Sequence, residues 1–174
     1  FAALLERCAQ EVPELRLRFT SPHPKDFAPR VLEVIAAHSN VARCLHVPMQ
    51  SGSNAVLQRM NRLYTAESLR GLVRDMRAAL PGVSLTTDVL VGFCGESEED
   101  FAQTCALYAE LGFDAAYCYA YSERERTPAQ RQLVDDVPAE VKARRLRTIT
   151  ELSKQLTAQR CREQVSRRHL VLLD

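Results

Sequence analysis

The stretch LHVPMQSGSNAVLQRMNRLYT, residues 45–65, decides how the chain folds. Leu45, Val47 and Met49 fall at every second position, the period that puts side chains on one face of a strand. At Gln50 the pattern stops and four polar or small residues follow, Gln50-Ser51-Gly52-Ser53. Asn54 then starts a short helical pattern carrying Arg59 and Arg62, and Thr65 is placed to cap a longer helix. A strand that passes straight into a helix is the building unit of parallel α/β sheets. The four residues are either a turn with a helix cap or a set of ligand-facing groups, and the stretch alone leaves both readings open.

The same unit recurs on either side. Phe1, Leu4, Leu5 and Cys8 have helical spacing, and Pro13 closes that segment. LRLRF (15–19) alternates apolar and basic residues, which predicts a strand running into TSPHP. Asp26 is placed to cap a helix whose face is Phe27, Val31, Leu32 and Ile35, and the next strand is expected around 43–49. Leu69, Leu72, Val73, Met76 and Leu80 form one stripe on the helix after Thr65, ended by Pro81-Gly82. VSLTTDVLVG predicts a strand with Asp88 in its interior. Ser97-Glu98-Glu99-Asp100 offers a capping hydroxyl and three carboxylates to a helix N-terminus, where the dipole favours them. Phe101, Cys105 and Tyr108 give that helix its face, and Gly112 supplies a left-handed stop. DAAYCYAY (114–121) predicts a further strand, and the charged loop SERERTPAQRQLVDD leads to a long helix opening at Pro138. HLVLL predicts a final strand. The order α-β-α-β-αα-β-α-β-α-β implies parallel strands with outer helices, in an open sheet or a (β/α) barrel. No GxGxxG follows a strand, which weighs against a dinucleotide-binding sheet.

The chain has 174 residues, 46% hydrophobic and 26% charged, enough for one domain with a sizeable core. No apolar run approaches the roughly 20 residues of a membrane span, and no membrane partner is expected. There is no secretory leader, and the start at Phe1 suggests a piece of a longer protein. Net charge is +1, unevenly spread: residues 1–121 hold 11 basic and 14 acidic side chains, residues 122–174 hold 12 and 8. The basic end fits either a polyanion or a solvated Arg-rich helix. Six cysteines, at 8, 44, 94, 105, 118 and 161, contain no CxxC or CxxxC pair and read as reduced, mostly buried thiols. No metal site is expected within the chain.

Parallel α/β folds carry their chemistry at the C-terminal ends of the strands. Those ends hold Ser21-Pro22-His23-Pro24, then Gln50-Ser51-Gly52-Ser53, then Asp88 with Gly92-Phe93-Cys94-Gly95-Glu96, then Tyr121-Ser122-Glu123-Arg124. Gly92 and Gly95 fit turns of positive φ. Asp88, between apolar neighbours, needs a partner, because an unpaired buried carboxylate costs several kcal/mol. A ribose hydroxyl pair, an amino group or a structural Arg would each serve. His46 points away from Val47 and is either a satisfied core histidine or a functional one, while His23 reads as structural. Together the polar ends suit a ligand with carboxylate, amine, ribose and base groups. No HExxH, GxSxG or Walker sequence offers a hydrolytic or phosphoryl-transfer rival.

FTSPHPKDF, LHVPMQSGSNAVLQRMNRLYT, DVLVGFCGESEEDF, YSERERTPA and DDVPAEVKARRL resemble successive blocks of the MiaB-type radical S-adenosylmethionine (SAM) methylthiotransferases. The resemblance covers nearly the whole chain, in order. The branch that modifies a ribosomal-protein aspartate tends to carry His at position 51, and the branch acting on threonylcarbamoyl-adenosine tends to read QSAS and YPRPGT. QSGS with Tyr121-Ser122 is similar to the branch acting on isopentenyladenosine beside the tRNA anticodon. Cys94 in place of a common Pro, and Arg126 in place of a common Gly, are similar to the eukaryotic mitochondrial members.

The resemblance implies an α/β fold, a partial (β/α) barrel covering about its third to sixth strands over residues 1–162. Residues 163–174 would be a linker and the first strand of a truncated TRAM-like domain. It implies SAM and two 4Fe-4S clusters as cofactors in the full-length parent, with cluster ligands outside this chain, so no catalytic residue is assigned within it. In that chemistry a reduced cluster generates a 5′-deoxyadenosyl radical from SAM, which activates C2 of adenosine for sulfur and methyl transfer. Gln50, Ser51, Asp88, Gly92, Phe93 and Arg124 would bind SAM; Arg59 and Arg62, with the basic helix, would contact RNA phosphates. The implied partners are a tRNA anticodon stem-loop and sulfur and electron donors. The implied location is mitochondrial in a eukaryote and cytoplasmic otherwise. Another methylthiotransferase substrate, or a truncated relative that binds RNA or protein without catalysis, is the competing expectation. Alone, the chain is expected to be inactive and prone to associate through an uncovered strand at 15–19.

Overall fold

The structure, a computed structural model, describes residues 1–20, 23–24 and 27–168. Three parallel strands, β1 (Cys44–His46), β2 (Ser84–Val91) and β3 (Ala115–Ala120), lie side by side in the order β1-β2-β3. Register pairs Leu45 with Leu85, and Val89 with Cys118. Around them run α1 (Ala2–Glu11), α2 (Pro29–Ala37), α3 (Asn54–Arg59), α4 (Ala66–Ala79), α5 (Glu98–Leu111), α6 (Pro128–Gln132) and α7 (Ala139–Gln164). This is the α/β pattern read from the sequence, a parallel sheet consistent with part of a (β/α) barrel.

Local chemistry explains the boundaries. Thr65 and Ser97 each form a reciprocal capping box, opening α4 and α5. Gly112 ends α5 with a φ of 55°. The stripe of α4 buries Leu69, Val73 and Met76.

Alternation along β2 separates two faces. Leu85, Thr87, Val89 and Val91 are buried beneath helices, while Ser84, Thr86, Asp88 and Leu90 are half-exposed. The helix face joins Leu45, Val47, Met49, Leu107, Tyr108, Phe113 and Ile149 in one core. The other face carries Cys44 and His46 from β1 and Tyr117 and Tyr119 from β3, the tyrosines more than half exposed.

Three expectations need correction. LRLRF is not a strand: only Leu17 pairs, bridging Val41 through Leu17 N–H to Asn40 O and Ala42 N–H to Leu17 O. Alternation specified a buried side, but a strand also needs a run of ladder partners, and this edge offers a single bridge. The edge expected to drive association is therefore not formed as a strand. The second helix opens at Pro29 with Ala28 as its N-cap, making no side-chain capping bond; Asp26 lies outside the described residues. The loop after β3 contains a helix, α6, opened by the Thr127 hydroxyl and Pro128 at the first position. The strand expected at HLVLL lies outside the described residues.

Candidate cofactor and substrate site

The four residues after Met49 divide between two tasks. Gln50 has a φ of 62°. Ser51 N–H reaches back to Met49 O (2.8 Å), closing a γ-turn of the rarer, strained hand around Gln50. The turn still extends the sheet: Gln50 N–H donates to Asp88 O, and Leu90 N–H donates to Gln50 O. The Gln50 side chain lines a cavity of about 450 Å³ beside Asp88, Leu90, Tyr119, Tyr121 and Arg124.

Ser51 and Ser53 turn the other way, into the protein. Thr104 of α5 donates to Asp100 O, so its one proton is used, and the Ser51 hydroxyl must donate to Thr104 (3.1 Å). Gly52 N–H occupies Thr104's remaining acceptor site (3.0 Å). Ser53 caps α3 and also donates to Asp100 (2.5 Å). Gly52 is required here, because a Cβ would sit 2.4 Å from Gln103 O. Tyr64 donates to Pro48 O and Met49 O, and burial pushes its hydroxyl pKa up to about 12.

Asp88 finds neither an arginine nor solitude. His46 Nε2 bonds one carboxylate oxygen (3.0 Å), and His46 Nδ1 meets the Thr86 hydroxyl (2.9 Å). A histidine that donates from Nε2 to Asp88 and accepts the Thr86 hydroxyl proton at Nδ1 uses both ring nitrogens. The second Asp88 oxygen, the Gln50 amide and the Arg124 guanidinium have no hydrogen-bond partner among the described residues, and all three residues line the 450 Å³ cavity.

The loop after β2 is built as a support. Gly92 has a φ of 71°, and its N–H donates to Glu96 (2.6 Å). Glu96 is buried against Arg145 of α7, at 2.8 Å with side-chain exposures of 0% and 3%. Burial pushes the Glu96 carboxyl up, against the opposing pull of Gly92 N–H and Arg145. Arg145 also donates to Glu98 and lies over the Phe101 ring. Arg59 donates to Cys94 O, Gly95 O and Asp100, fixing α3 to this loop. Phe93 is buried edge-on to Tyr121, whose hydroxyl burial pushes up to about 12.

Of the sequence-selected residues, Gln50, Asp88 and Arg124 come together in one cavity, while Ser51 and Gly92 are buried outside its lining and Phe93 lines a neighbouring cavity. Arg59 is committed to loop carbonyls; Arg62 lines a cavity beside it, its buried Nε without a partner among the described residues. His46, Thr104 and Arg145 were not selected. Thr104 and Arg145 carried a signal: each is a polar residue at an apolar position of its helix, between Phe101 and Tyr108, and between Val141 and Ile149.

Among the described residues no three His, Cys, Asp or Glu side chains gather as metal ligands, so those residues offer no ligand set for an iron-sulfur cluster. The cavity does fit a nucleoside bearing an amino acid: its size is in the range of small-molecule sites, and it offers a carboxylate, an amide, a guanidinium and aromatic rings. Among the described residues no helix is long and apolar enough to cross a membrane.

Comparison with known proteins places these features in context. Residues 1–108 match the Radical SAM superfamily. The whole chain is 47% identical to a CDK5RAP1-like protein of Oryza sativa subsp. japonica and 43% identical to the mitochondrial tRNA methylthiotransferase CDK5RAP1 of Homo sapiens, covering 29% of each. Over 95% of the chain and 37% of the relative, it is 46% identical to a tRNA-2-methylthio-N(6)-dimethylallyladenosine synthase of Chlorobium luteolum. The chain thus spans less than two fifths of these relatives. Among solved structures, coproporphyrinogen III oxidase (HemN) of Escherichia coli, a radical SAM enzyme, superposes with a TM-score of 0.72 at 22% identity, covering 90% of this chain and 37% of that one.

Proposed function

We propose that this chain, which belongs to the radical SAM superfamily, forms the SAM-holding part of a tRNA methylthiotransferase acting on C2 of an adenosine that carries a dimethylallyl (isopentenyl) group, beside the anticodon. The observation that carries the proposal is the convergence of three uncommitted polar groups, from Gln50, Asp88 and Arg124, in one cavity at the strand ends. The names of the relatives supply the reaction class.

When bound, SAM and the clusters of the full-length protein supply radical chemistry and the methyl group. This chain's residues bind and orient. Arg124 would pair with the carboxylate of SAM, Asp88 would accept from its amino or ribose hydroxyl groups, and Gln50 would donate or accept beside it. His46 holds Asp88 in one orientation through its second ring nitrogen and Thr86. Ser51 and Gly92 fix the loops after the two strands, through Thr104 and Glu96, and Phe93 packs on Tyr121 of the cavity lining. Arg62 and the basic residues of α7 that have no acidic partner among the described residues, Arg147, Lys154 and Arg162, would meet RNA phosphates, while Arg59 secures the adjoining loop. Sulfur and electron donors would act with the full-length protein, in mitochondria of a eukaryote or the cytoplasm of a bacterium.

Labelled SAM titrated onto the full-length, cluster-loaded protein tests the assignment. Gln50→Ala, Asp88→Ala and Arg124→Ala should each weaken binding by about tenfold or more, the loss of a charged or polar contact. Unchanged affinity in all three variants would remove the cavity from consideration as the SAM site.

A further inference from the structure

Asp88 lines two cavities. One is the 450 Å³ cavity at the strand ends; the other, of about 440 Å³, lies on the open face of the sheet and shares Asp88 and Tyr119 with it. The neighbours of Asp88 divide between them: His46 and Thr86 line only the second cavity, Gln50 and Arg124 only the first. Register places His46 beside Thr86, and its ring reaches diagonally along the same face to Asp88, two residues further on. His46 thus holds one Asp88 oxygen on the side of the second cavity (3.0 Å) and is itself fixed by the Thr86 hydroxyl (2.9 Å). The His46 side chain is 15% exposed and that of Asp88 27%, so the anchor is more deeply set than the group it holds.

An acidic and a basic side chain in one cavity attract each other, and more strongly where water is excluded. Asp88 and Arg124 both line the first cavity, yet Asp88 is paired with His46, and no ion pair joins it to Arg124 among the described residues. We propose that His46, steadied by Thr86, is a positioning residue that keeps Asp88 from closing onto Arg124. The proposal rests on the SAM reading above and adds the pair of residues that maintains its spacing. A zwitterionic amino-acid group needs an acceptor and a guanidinium at separate places, and an Asp88–Arg124 pair would occupy both before the ligand arrived. His46 lines only the second cavity and acts through Asp88.

Binding of labelled SAM to the full-length, cluster-loaded protein tests this with variants that separate the two ring nitrogens. Glutamine carries an amide N–H where Nε2 stands, and asparagine carries one where Nδ1 stands. His46→Ala and His46→Asn should weaken binding by about fivefold to tenfold, and His46→Gln should restore it to within about twofold of wild type. Thr86→Val should weaken it by about threefold while hardly shifting the denaturant melt, a split that a purely structural residue does not show. In an Asp88→Ala background His46→Ala should add less than about twofold, because the group it acts through is gone. In an Arg124→Ala background it should likewise add less than about twofold, because Asp88 has no cation to turn to. Wild-type affinity in His46→Ala, glutamine no better than alanine, or a full His46→Ala effect in either background overturns the proposal and leaves the cavity as the SAM site. If Gln50→Ala, Asp88→Ala and Arg124→Ala are themselves silent, the SAM reading falls and this proposal with it.

Discussion

Thr86 and Thr87 are consecutive in β2 and chemically identical, yet they belong to different parts of the molecule. Thr87 is fully buried on the helix face; its hydroxyl accepts from Met49 N–H and donates to Val47 O. Thr86 lies on the open face and meets His46, which in turn holds Asp88. On the helix face most polar atoms have partners inside the protein, and the site is held rigid. On the open face the chain leaves an amide, a carboxylate oxygen and a guanidinium uncommitted. One face of the strand is closed by the protein's own groups, and the other opens onto the cavity.

Substitutions that sharpen this contrast should differ in size. Arg145→Ala is expected to act most strongly, by about 3–5 kcal/mol, because it leaves Glu96 buried without its cation. Denaturant melts of the full-length protein measure it, and a change below about 1 kcal/mol would mean that Glu96 is neutral or hydrated. Thr87→Val keeps the shape but strands a buried N–H and a carbonyl, for about 1–3 kcal/mol, whereas Thr86→Val on the open face should cost less than about 1 kcal/mol. Equal losses at the two positions would erase the distinction between the faces.

The smallest effect concerns pH. Burial raises the Asp100 carboxyl, but hydrogen bonds from Ser53 and Ser97, with Arg59, outweigh it and hold Asp100 below its ordinary range. A depressed carboxylate contributes stability above its unfolded value, near 4, and loses it as pH falls through the lower folded value. Asp100→Asn should therefore flatten the acid side of the stability profile below about pH 4. An unchanged slope there would show that Asp100 is not a contributor.

Much of this arrangement was legible in the residues. Gln50 and Asp88 stood out because polar groups interrupt apolar strands, and the caps at Thr65 and Ser97 follow from local spacing. The task of Ser51 was not legible: period two carries Ser51 and Ser53 to the buried side of Met49, but their partners, Thr104 and Asp100, come from a helix about fifty residues away. Nor could the sequence show that the edge at Leu17 has one bridge rather than a ladder, since pairing depends on a distant partner. Asp88's partner was missed for the same reason, because His46 and Asp88 meet only through the register of β1 with β2. Arg145 was hidden by its type, an arginine among many in a charged helix, although its place in the apolar stripe marked it.

The tetrapeptide from Gln50 to Ser53 is tied at once to β2, α3 and α5, with Gly52 against the α5 backbone. Adding or deleting one residue there would put three separate elements out of step together. The segment from Ser122 to Leu133, mostly exposed and carrying the short α6, hydrogen-bonds within itself and packs Ala129 and Leu133 against Val56, Phe93 and Cys94. An engineer seeking a new substrate should hold the first segment and Arg124 constant and vary the second from Pro128 onward.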